Sequence, residues 1–370
     1  MSTAQLEIQL VAAVVAVACS LPGVFLILRR MAMMSDAISH AILFGIVLAF
    51  FVVEDITSPF LVVGAALTGV LTVSLVEALH RTRLVKADAA IGLVFPVLFS
   101  IGVILIARYA GNVHLDIDAV LLGELAFAPF NRFVVAGYDL GPISFYVMGG
   151  ILLLNILFIA LFYKELKLAS FDAGLAAAIG FSPTLIHYAL MTQVSLTAVG
   201  AFDAVGSILV VALMVAPPAA AYLLTDRLSR MLLISAGVGI ASAIGGYWTA
   251  NLFDVNIAGS MASMAGLIFL LVYLTAPGRG LIAVARRNLH QRWEFAQTML
   301  AIHLLHHENT PQAEVECRVD HLWEHLRWEP DFAERVVRYA EDKGMVRRSA
   351  GLLFLTGEGR QVAQRAMVHS

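Results

Sequence analysis

The stretch that organises this chain is Ser35-Asp36-Ala37-Ile38-Ser39-His40-Ala41-Ile42-Leu43-Phe44-Gly45. It places a carboxylate and an imidazole at the head of an apolar run that continues to Val53. Asp36 and His40 are four residues apart, so on a helix they share one face about one turn from each other. An ionisable pair inside an apolar segment is costly and indicates a functional site, and oxygen with imidazole suits Mn, Fe or Zn. The residue types alone fit a structural reading equally well, in which Asp36 caps the helix and His40 bonds a neighbouring carbonyl.

The composition around this stretch is typical of a polytopic membrane protein, with 60% hydrophobic and 14% charged residues. The charge is concentrated at one end of the chain. Residues 1–276 hold 11 Lys/Arg and 15 Asp/Glu, whereas the shorter segment 277–370 holds 13 and 12. We therefore expect a transmembrane domain over 1–280 and a separate domain over 285–370.

Nine apolar runs are long enough to cross a bilayer as helices. They lie near 8–28, 37–53, 58–79, 89–107, 142–162, 183–201, 204–224, 231–250 and 256–276. The sixth and seventh meet at Asp203, and the count is eight if they form one broken element. The predicted fold class is an all-α polytopic membrane protein followed by a small α+β domain.

Basic residues in the connections predict the orientation of these spans. Two of them, Arg108 and Arg132, lie in one set of alternate connections. The other set holds nine, namely Arg29, Arg30, Arg81, Arg83, Lys86, Lys164, Lys167, Arg227 and Arg230. Because cytoplasmic loops are enriched in Lys and Arg, we expect the N-terminus outside the cell (inner) membrane and the C-terminal domain in the cytoplasm.

Two connections are too long to be simple turns. The outer one, 109–141, has an apolar centre too short to span, which favours a re-entrant or interfacial helix. Its His114, Asp116 and Asp118 are metal-binding residue types, although a docking surface or solvated charge accounts for them better than an independent site. The cytoplasmic one contains a short helix with Asp172 as N-cap and Gly180 as C-cap. Its small residues suit docking against another subunit.

Several motifs resemble, in order, the permeases of the zinc/manganese/iron ABC importer family over roughly residues 10–276. The most specific is Arg30 to Gly45, similar to the family's S-D-A-I-S-H-A-x-L-P-G signature, with Phe44 where the family usually has Pro. The others are Asp88-Ala89-Ala90-Ile91-Gly92, Lys164-Glu165-Leu166 with Phe171-Asp172, and Val205-Gly206 running to Ala216-Pro217-Pro218-Ala219-Ala220-Ala221. Pro96 is a second departure, at a position where a small polar residue is commoner.

The resemblance implies partners and a role for the polar pair. It implies a second permease copy, a separate ABC ATPase subunit and an extracytoplasmic metal-binding protein, with Asp36 and His40 acting on a divalent ion that crosses between the two copies. Asp203 and Glu77 are weaker candidates for the metal pathway, because acids at span ends are usually structural, and His187 is best read as an interfacial polar residue. The residues expected to couple to the ATPase are Phe171, Asp172, Gly174, Ala177 and Gly180. The segment from His114 to Gly123 resembles manganese and iron members more than zinc members.

No part of the chain carries a phosphate-binding loop for ATP. There is no G-x-x-x-x-G-K-[ST] motif, and none of the four lysines follows a glycine. We therefore expect a permease rather than an enzyme, with ATP hydrolysis on a separate subunit and no permanently bound cofactor. The alternatives are an ion-coupled secondary metal transporter, which often carries inverted repeats, and a membrane-anchored metal-responsive regulator, for which nine spans are excessive.

The segment 285–370 has the pattern of a compact helical domain with one hairpin. Helices are predicted near 289–307, 312–326 and 331–343, a hairpin over 345–355 and a last helix after Thr356. This order resembles the winged-helix part of metal-dependent repressors. Because the domain is near neutral, we expect protein contact or regulation and no nucleic-acid binding. His303/His307 and His321/His325 have the i, i+4 spacing of a metal-binding pair, which surface histidines also show.

Overall fold

The computed structural model describes residues 2–55, 58, 60–109, 125–135, 138–322 and 326–368. The chain divides into two compact units, residues 1–280 and 281–370. Each unit has its own hydrophobic core.

The first unit contains nine helices long and apolar enough to cross a membrane, counted over the described residues. They are α1 (Thr3–Leu28), α2 (Met33–Val53), α3 (Phe60–Arg81), α4 (Ala87–Tyr109), α5 (Ile143–Leu161), α8 (Pro183–Val205), α9 (Ser207–Leu224), α10 (Leu228–Phe253) and α11 (Ile257–Thr275), with the short helices α6 (Tyr163–Phe171) and α7 (Ala173–Ala178) between α5 and α8. The prediction of nine spans is confirmed. Gly206, with φ +78°, separates α8 from α9, so the sixth and seventh spans are two helices.

Side-chain links between distant connections agree with nine crossings. Arg132, which follows the fourth span, forms an ion pair with Glu7 at the start of the first span, with 3.2 Å between the charged atoms. Arg29, after the first span, donates to Ser170 Oγ at 3.1 Å, after the fifth. Arg279, after the ninth span, pairs with Asp226, after the seventh. Each link joins connections that an even number of spans separates, as residues on one side of a bilayer must be.

Small residues bring α2 and α3 into close contact. A Cβ atom added at Gly64 would lie 2.7 Å from the Cβ of Ala49, and one added at Gly45 would overlap the carbonyl oxygen of Gly64. Apolar side chains gain nothing by moving from lipid to protein, so helices in membranes associate through such close backbone packing. This contact holds in place the helix that carries Asp36 and His40.

The described part of the connection between α4 and α5 contains a 3₁₀ helix and a hairpin. The 3₁₀ helix spans Leu125–Phe130, and the strands β1 (Arg132–Val135) and β2 (Tyr138–Pro142) pair antiparallel. A hydrogen bond from Arg132 holds the pKa of the Asp139 carboxyl below its ordinary value. The re-entrant helix expected within 109–141, and His114, Asp116 and Asp118 with it, lie outside the described residues.

The described part of the second unit contains one long helix, several shorter helices and one hairpin. Its elements are α12 (Leu281–His307), α13 (Ala313–Glu316), a 3₁₀ helix (Val319–His321), α14 (Pro330–Asp342), β3 (Val346–Ser349), β4 (Leu352–Leu355) and α15 (Gly357–Val368). The prediction of one helix over 312–326 is wrong. Arg318 is extended and forms a β-bridge with Leu352, and the Cys317 carbonyl accepts from Leu353 N–H at 2.8 Å, so the backbone leaves the helix there to pair with the hairpin.

Candidate functional site

Asp36 and His40 form a pair in the first turns of α2. His40 Nε2 lies 3.3 Å from Asp36 Oδ1. The helix begins at Met33 after Ala32, which makes no side-chain capping bond, so Asp36 does not cap it. A carboxylate in the first turn is favoured by the helix dipole, and this one contacts the imidazole one turn further along the same face.

Two aromatic rings of α4 enclose the imidazole. The Phe95 ring stacks on His40 with 5.8 Å between centroids, and the Phe99 ring meets it edge-on at 5.9 Å. The pair is nevertheless open, because the Asp36 and His40 side chains are 30% and 32% exposed. The site is therefore apolar on the α4 side and accessible on another.

The two weaker acidic candidates lie apart from this pair. Glu77, on α3, forms an ion pair with Arg81 at 3.0 Å, so the guanidinium balances the charge of the carboxylate. Asp203 is exposed near the far end of α8, 20 residues from its first residue, Pro183. At 1.5 Å per residue this is about 30 Å along the helix, which places Asp203 towards the opposite membrane surface from Asp36.

His187 belongs to a cluster where α1, α6 and α8 meet. Its Nδ1 lies 3.5 Å from Arg29 Nη1, and Arg29 also donates to Ser170. The imidazole meets the Tyr188 ring edge-on. This cluster connects the end of the first span to the short helices that follow the fifth.

The proposed coupling segment is a capped helix with an exposed apolar surface. Asp172 Oδ1 accepts from Leu175 N–H at 2.9 Å, which caps α7. Gly180, with φ +99°, ends it: Phe181 N–H donates to Ala176 O and Gly180 N–H to Ala177 O, the paired bonds of a Schellman motif. Three large apolar side chains on α7 and the residues beside it are 47% to 60% exposed: Phe171, Leu175 and Ile179. Gly174 and Ala177 are exposed beside them.

In the second unit, one of the two predicted histidine pairs gains a third residue. His303 and His307 of α12 and Glu316 of α13 each offer a ligand atom, and these atoms lie within 4.8 Å of one another. His321 lies outside this group, in the 3₁₀ helix that follows α13, and His325 lies outside the described residues.

Sequence reasoning missed two parts of these sites. Phe95 and Phe99 lie on either side of Pro96 at i, i+4 spacing, which indicates that one face of α4 is aromatic. Nothing in the sequence shows that this face contacts His40. Glu316 is 9 residues beyond His307 in a charged segment, and only the turn between α12 and α13 brings it to the histidines.

The nine candidate spans found among the described residues, one of them headed by the Asp36–His40 pair, define the class as a polytopic membrane protein. The model of the ABC 3 transport family matches residues 3–276. The chain belongs to this family.

Its relatives include proteins named for two metals. The zinc transport system membrane protein TroD of Treponema pallidum (strain Nichols) is 49% identical over 362 residues, which cover 97% of this chain and 98% of TroD. The manganese transport system membrane protein MntD of Bacillus subtilis (strain 168) is 49% identical over 282 residues, covering 76% of this chain and 95% of MntD. A solved structure, PsaBC from Streptococcus pneumoniae in complex with Fab, is similar with a TM-score of 0.62 and 29% identity, covering 75% of this chain and 94% of that chain.

Proposed function

We propose that this chain is the membrane permease subunit of an ATP-driven importer of divalent metal ions. The observation that carries the proposal is the Asp36–His40 pair, 3.3 Å apart and about one third exposed at the head of a membrane-spanning helix. Family membership and the names of the relatives support the same function.

The exposure of the pair supports a second permease copy as partner. Ionisable side chains in a bilayer face protein or a water-filled cavity rather than lipid, because exposure to hydrocarbon costs several kcal/mol. A second copy placed against α2 and α4 would cover the opening and contribute its own carboxylate and imidazole. Few ligands per copy would bind the ion weakly enough for release.

Among metals, we propose manganese or iron as the preferred cargo over zinc. A hard carboxylate oxygen suits manganese, and imidazole is accepted by all three ions. The relative MntD, which is named for manganese, supports this preference. The relative TroD is named for zinc and matches more of the chain, so zinc is the alternative that the experiment must distinguish.

For orientation and partners, we propose an extracytoplasmic N-terminus and a C-terminal unit in the cytoplasm. The nine basic residues in alternate connections support this arrangement. A separate ATPase would dock on the cytoplasmic side and a metal-binding protein on the outer side. We propose that the C-terminal unit is a winged-helix domain and that it acts on transport rather than on DNA, because its near-neutral charge gives phosphate little attraction.

Uptake by cells that express variants of the polar pair tests the proposal. Asp36→Asn and His40→Gln should each lower uptake at limiting metal by about 100-fold, since even residues that only support metal ligands cost 10–100-fold. Competition among Mn²⁺, Fe²⁺ and Zn²⁺ in the wild type identifies the cargo. The matched controls are Asp254→Asn and His80→Gln, exposed titratable residues at span ends, which should transport normally. Normal uptake by both pair variants at normal membrane abundance would contradict the proposal.

The α7 helix offers a surface for the ATPase, and a charge placed there tests it. Ala177→Glu should uncouple ATP hydrolysis from transport in the assembled complex, because a carboxylate beside Leu175 and Ile179 would be buried at an apolar contact. Hydrolysis and uptake are measured on the same preparation. Ser229→Glu, in the exposed first turn of α10, is the control and should remain coupled. Equal coupling in both variants would exclude α7 as the contact.

A further inference from the structure

The C-terminal unit brings three metal-binding side chains to one place. His303 and His307 are one turn apart on α12, with ring centroids 4.8 Å from each other. Glu316, the last residue of α13, brings its carboxylate to them, so that one ligand atom from each residue lies within 4.8 Å of the other two.

The donor set is that of a transition-metal site. Two imidazoles and one carboxylate bind zinc in well-known catalytic centres and suit iron and manganese as well. Ligand atoms bound to one ion at about 2.0–2.2 Å are about 3.3–3.6 Å apart in a tetrahedron. Because the candidate ligand atoms already lie within 4.8 Å of one another, each pair would need to approach by at most about 1.5 Å to reach these distances. Three protein ligands leave one coordination position for water.

Burial makes a cation favourable at this place. His303 and Glu316 are each only 9% exposed, and His307 is half-buried. A carboxylate withdrawn from water costs several kcal/mol unless an opposite charge compensates it. A divalent ion held by these three groups would place a favourable positive charge beside the buried carboxylate.

One contact already orients a candidate ligand. His303 Nε2 lies 3.0 Å from the carbonyl oxygen of Glu316. In the tautomer that donates to this carbonyl, Nδ1 is the nitrogen that would act as the metal ligand. Imidazoles that bind metals usually donate their other N–H to a carbonyl or carboxylate.

We propose that His303, His307 and Glu316 form a binding site for one first-row divalent cation. The ion would fasten α13 to α12. Cys317, the next residue, accepts a hydrogen bond from Leu353 of β4, so the ion would also fix the point where the hairpin joins the helices. The site is independent of the Asp36–His40 pair and of the transport proposal.

Cobalt(II) absorption of the full-length chain in lipid nanodiscs tests the site, because low-symmetry Co²⁺ with nitrogen ligands has visible bands that aqueous Co²⁺ lacks. The chain carries Asp36→Asn and His40→Gln, which remove the transmembrane pair from the measurement. In this background we expect one Co²⁺ per chain, displaced by Zn²⁺. His307→Gln and Glu316→Gln should each weaken Co²⁺ binding by at least about tenfold.

The same helix offers a matched control. His290 and Glu294 of α12 are an exposed i, i+4 pair, 3.2 Å apart, and His290→Gln and Glu294→Gln should leave the bands unchanged. His307→Cys replaces one ligand by another and should add a thiolate-to-cobalt charge-transfer band, which a purely structural histidine would not produce. Absence of the bands in the starting background would overturn the proposal. So would bands that persist in both site variants, or that vanish equally in the controls.

Discussion

Two of the polar clusters in the described membrane-spanning helices differ in how fully their groups are enclosed. Asn155 of α5 donates from Nδ2 to the Ala18 carbonyl and to Thr197 Oγ1, both at 3.0 Å, and accepts at Oδ1 from Gln193 Nε2 at 2.6 Å. Asn155, Gln193 and Thr197 are at most 7% exposed. The Asp36–His40 pair has one internal contact and about a third of its surface open.

The difference separates structural from functional polarity in a membrane. The Asn155 cluster joins α1, α5 and α8, and its members bond mainly to one another, so it has little capacity left for an ion. The Asp36–His40 pair retains carboxylate and imidazole capacity that nothing in its own helix uses. We expect loss of the first cluster to affect stability and loss of the second to affect transport.

The largest effect on stability should come from removing the centre of the enclosed cluster. Asn155→Leu should lower the free energy of unfolding by about 2 kcal/mol, because the amide of Gln193 and the hydroxyl of Thr197 lose their shared partner in a low-dielectric interior. Thermal unfolding in detergent measures the change, with uptake per inserted molecule measured alongside. Ser242→Ala is the control, since this buried hydroxyl bonds only within its own helix, to Val238 O. Lost transport at unchanged stability would place Asn155 in the metal pathway. The Asn155 cluster would then not be purely structural, and its contrast with the Asp36–His40 pair would be wrong.

A smaller effect should follow from removing one hydroxyl at the edge of that cluster. Thr197→Val keeps the side-chain shape, while Asn155 Nδ2 keeps its bond to the Ala18 carbonyl. We expect a loss of about 0.6–1 kcal/mol in the free energy of unfolding, near the average for hydrogen bonds between transmembrane helices. The same unfolding assay measures it, and a loss as large as that of Asn155→Leu would mean that the hydroxyl, not the amide, organises the cluster.

The smallest effect concerns the aromatic wall of the open pair. Phe99→Leu removes the edge-on contact with His40 and should change the metal concentration for half-maximal uptake by about two- to threefold, as a lost aromatic pair of about 0.5 kcal/mol would. Phe51→Leu is the control, because its edge-on partner is Tyr109, at 6.0 Å and away from the pair. Equal shifts in both variants would show that the Phe99 ring has no special relation to His40.

Much of this protein follows from local pattern in the sequence. Apolar runs of 17 residues or more predict the spans, because a helix must satisfy its own backbone in lipid. The i, i+4 spacing of Asp36 and His40 predicts one face. Asp172 and Gly180 predict the ends of α7, because capping depends on a few neighbouring residues. The change in charge density after residue 276 predicts a second unit.

Only the tertiary structure decided which of these local features meet. Phe95 and Phe99 of α4 reach His40 of α2. Asn155 of α5 reaches Ala18 of α1 and Thr197 of α8. These helices are not consecutive in the chain, so their order does not predict the contacts. Glu316 joins His303 and His307 because the turn between α12 and α13 brings its carboxylate back to α12. The physical reason is one of range: periodicity and capping arise from interactions within about four residues. Contacts between helices depend on how side chains fit across distances in sequence that no repeat encodes.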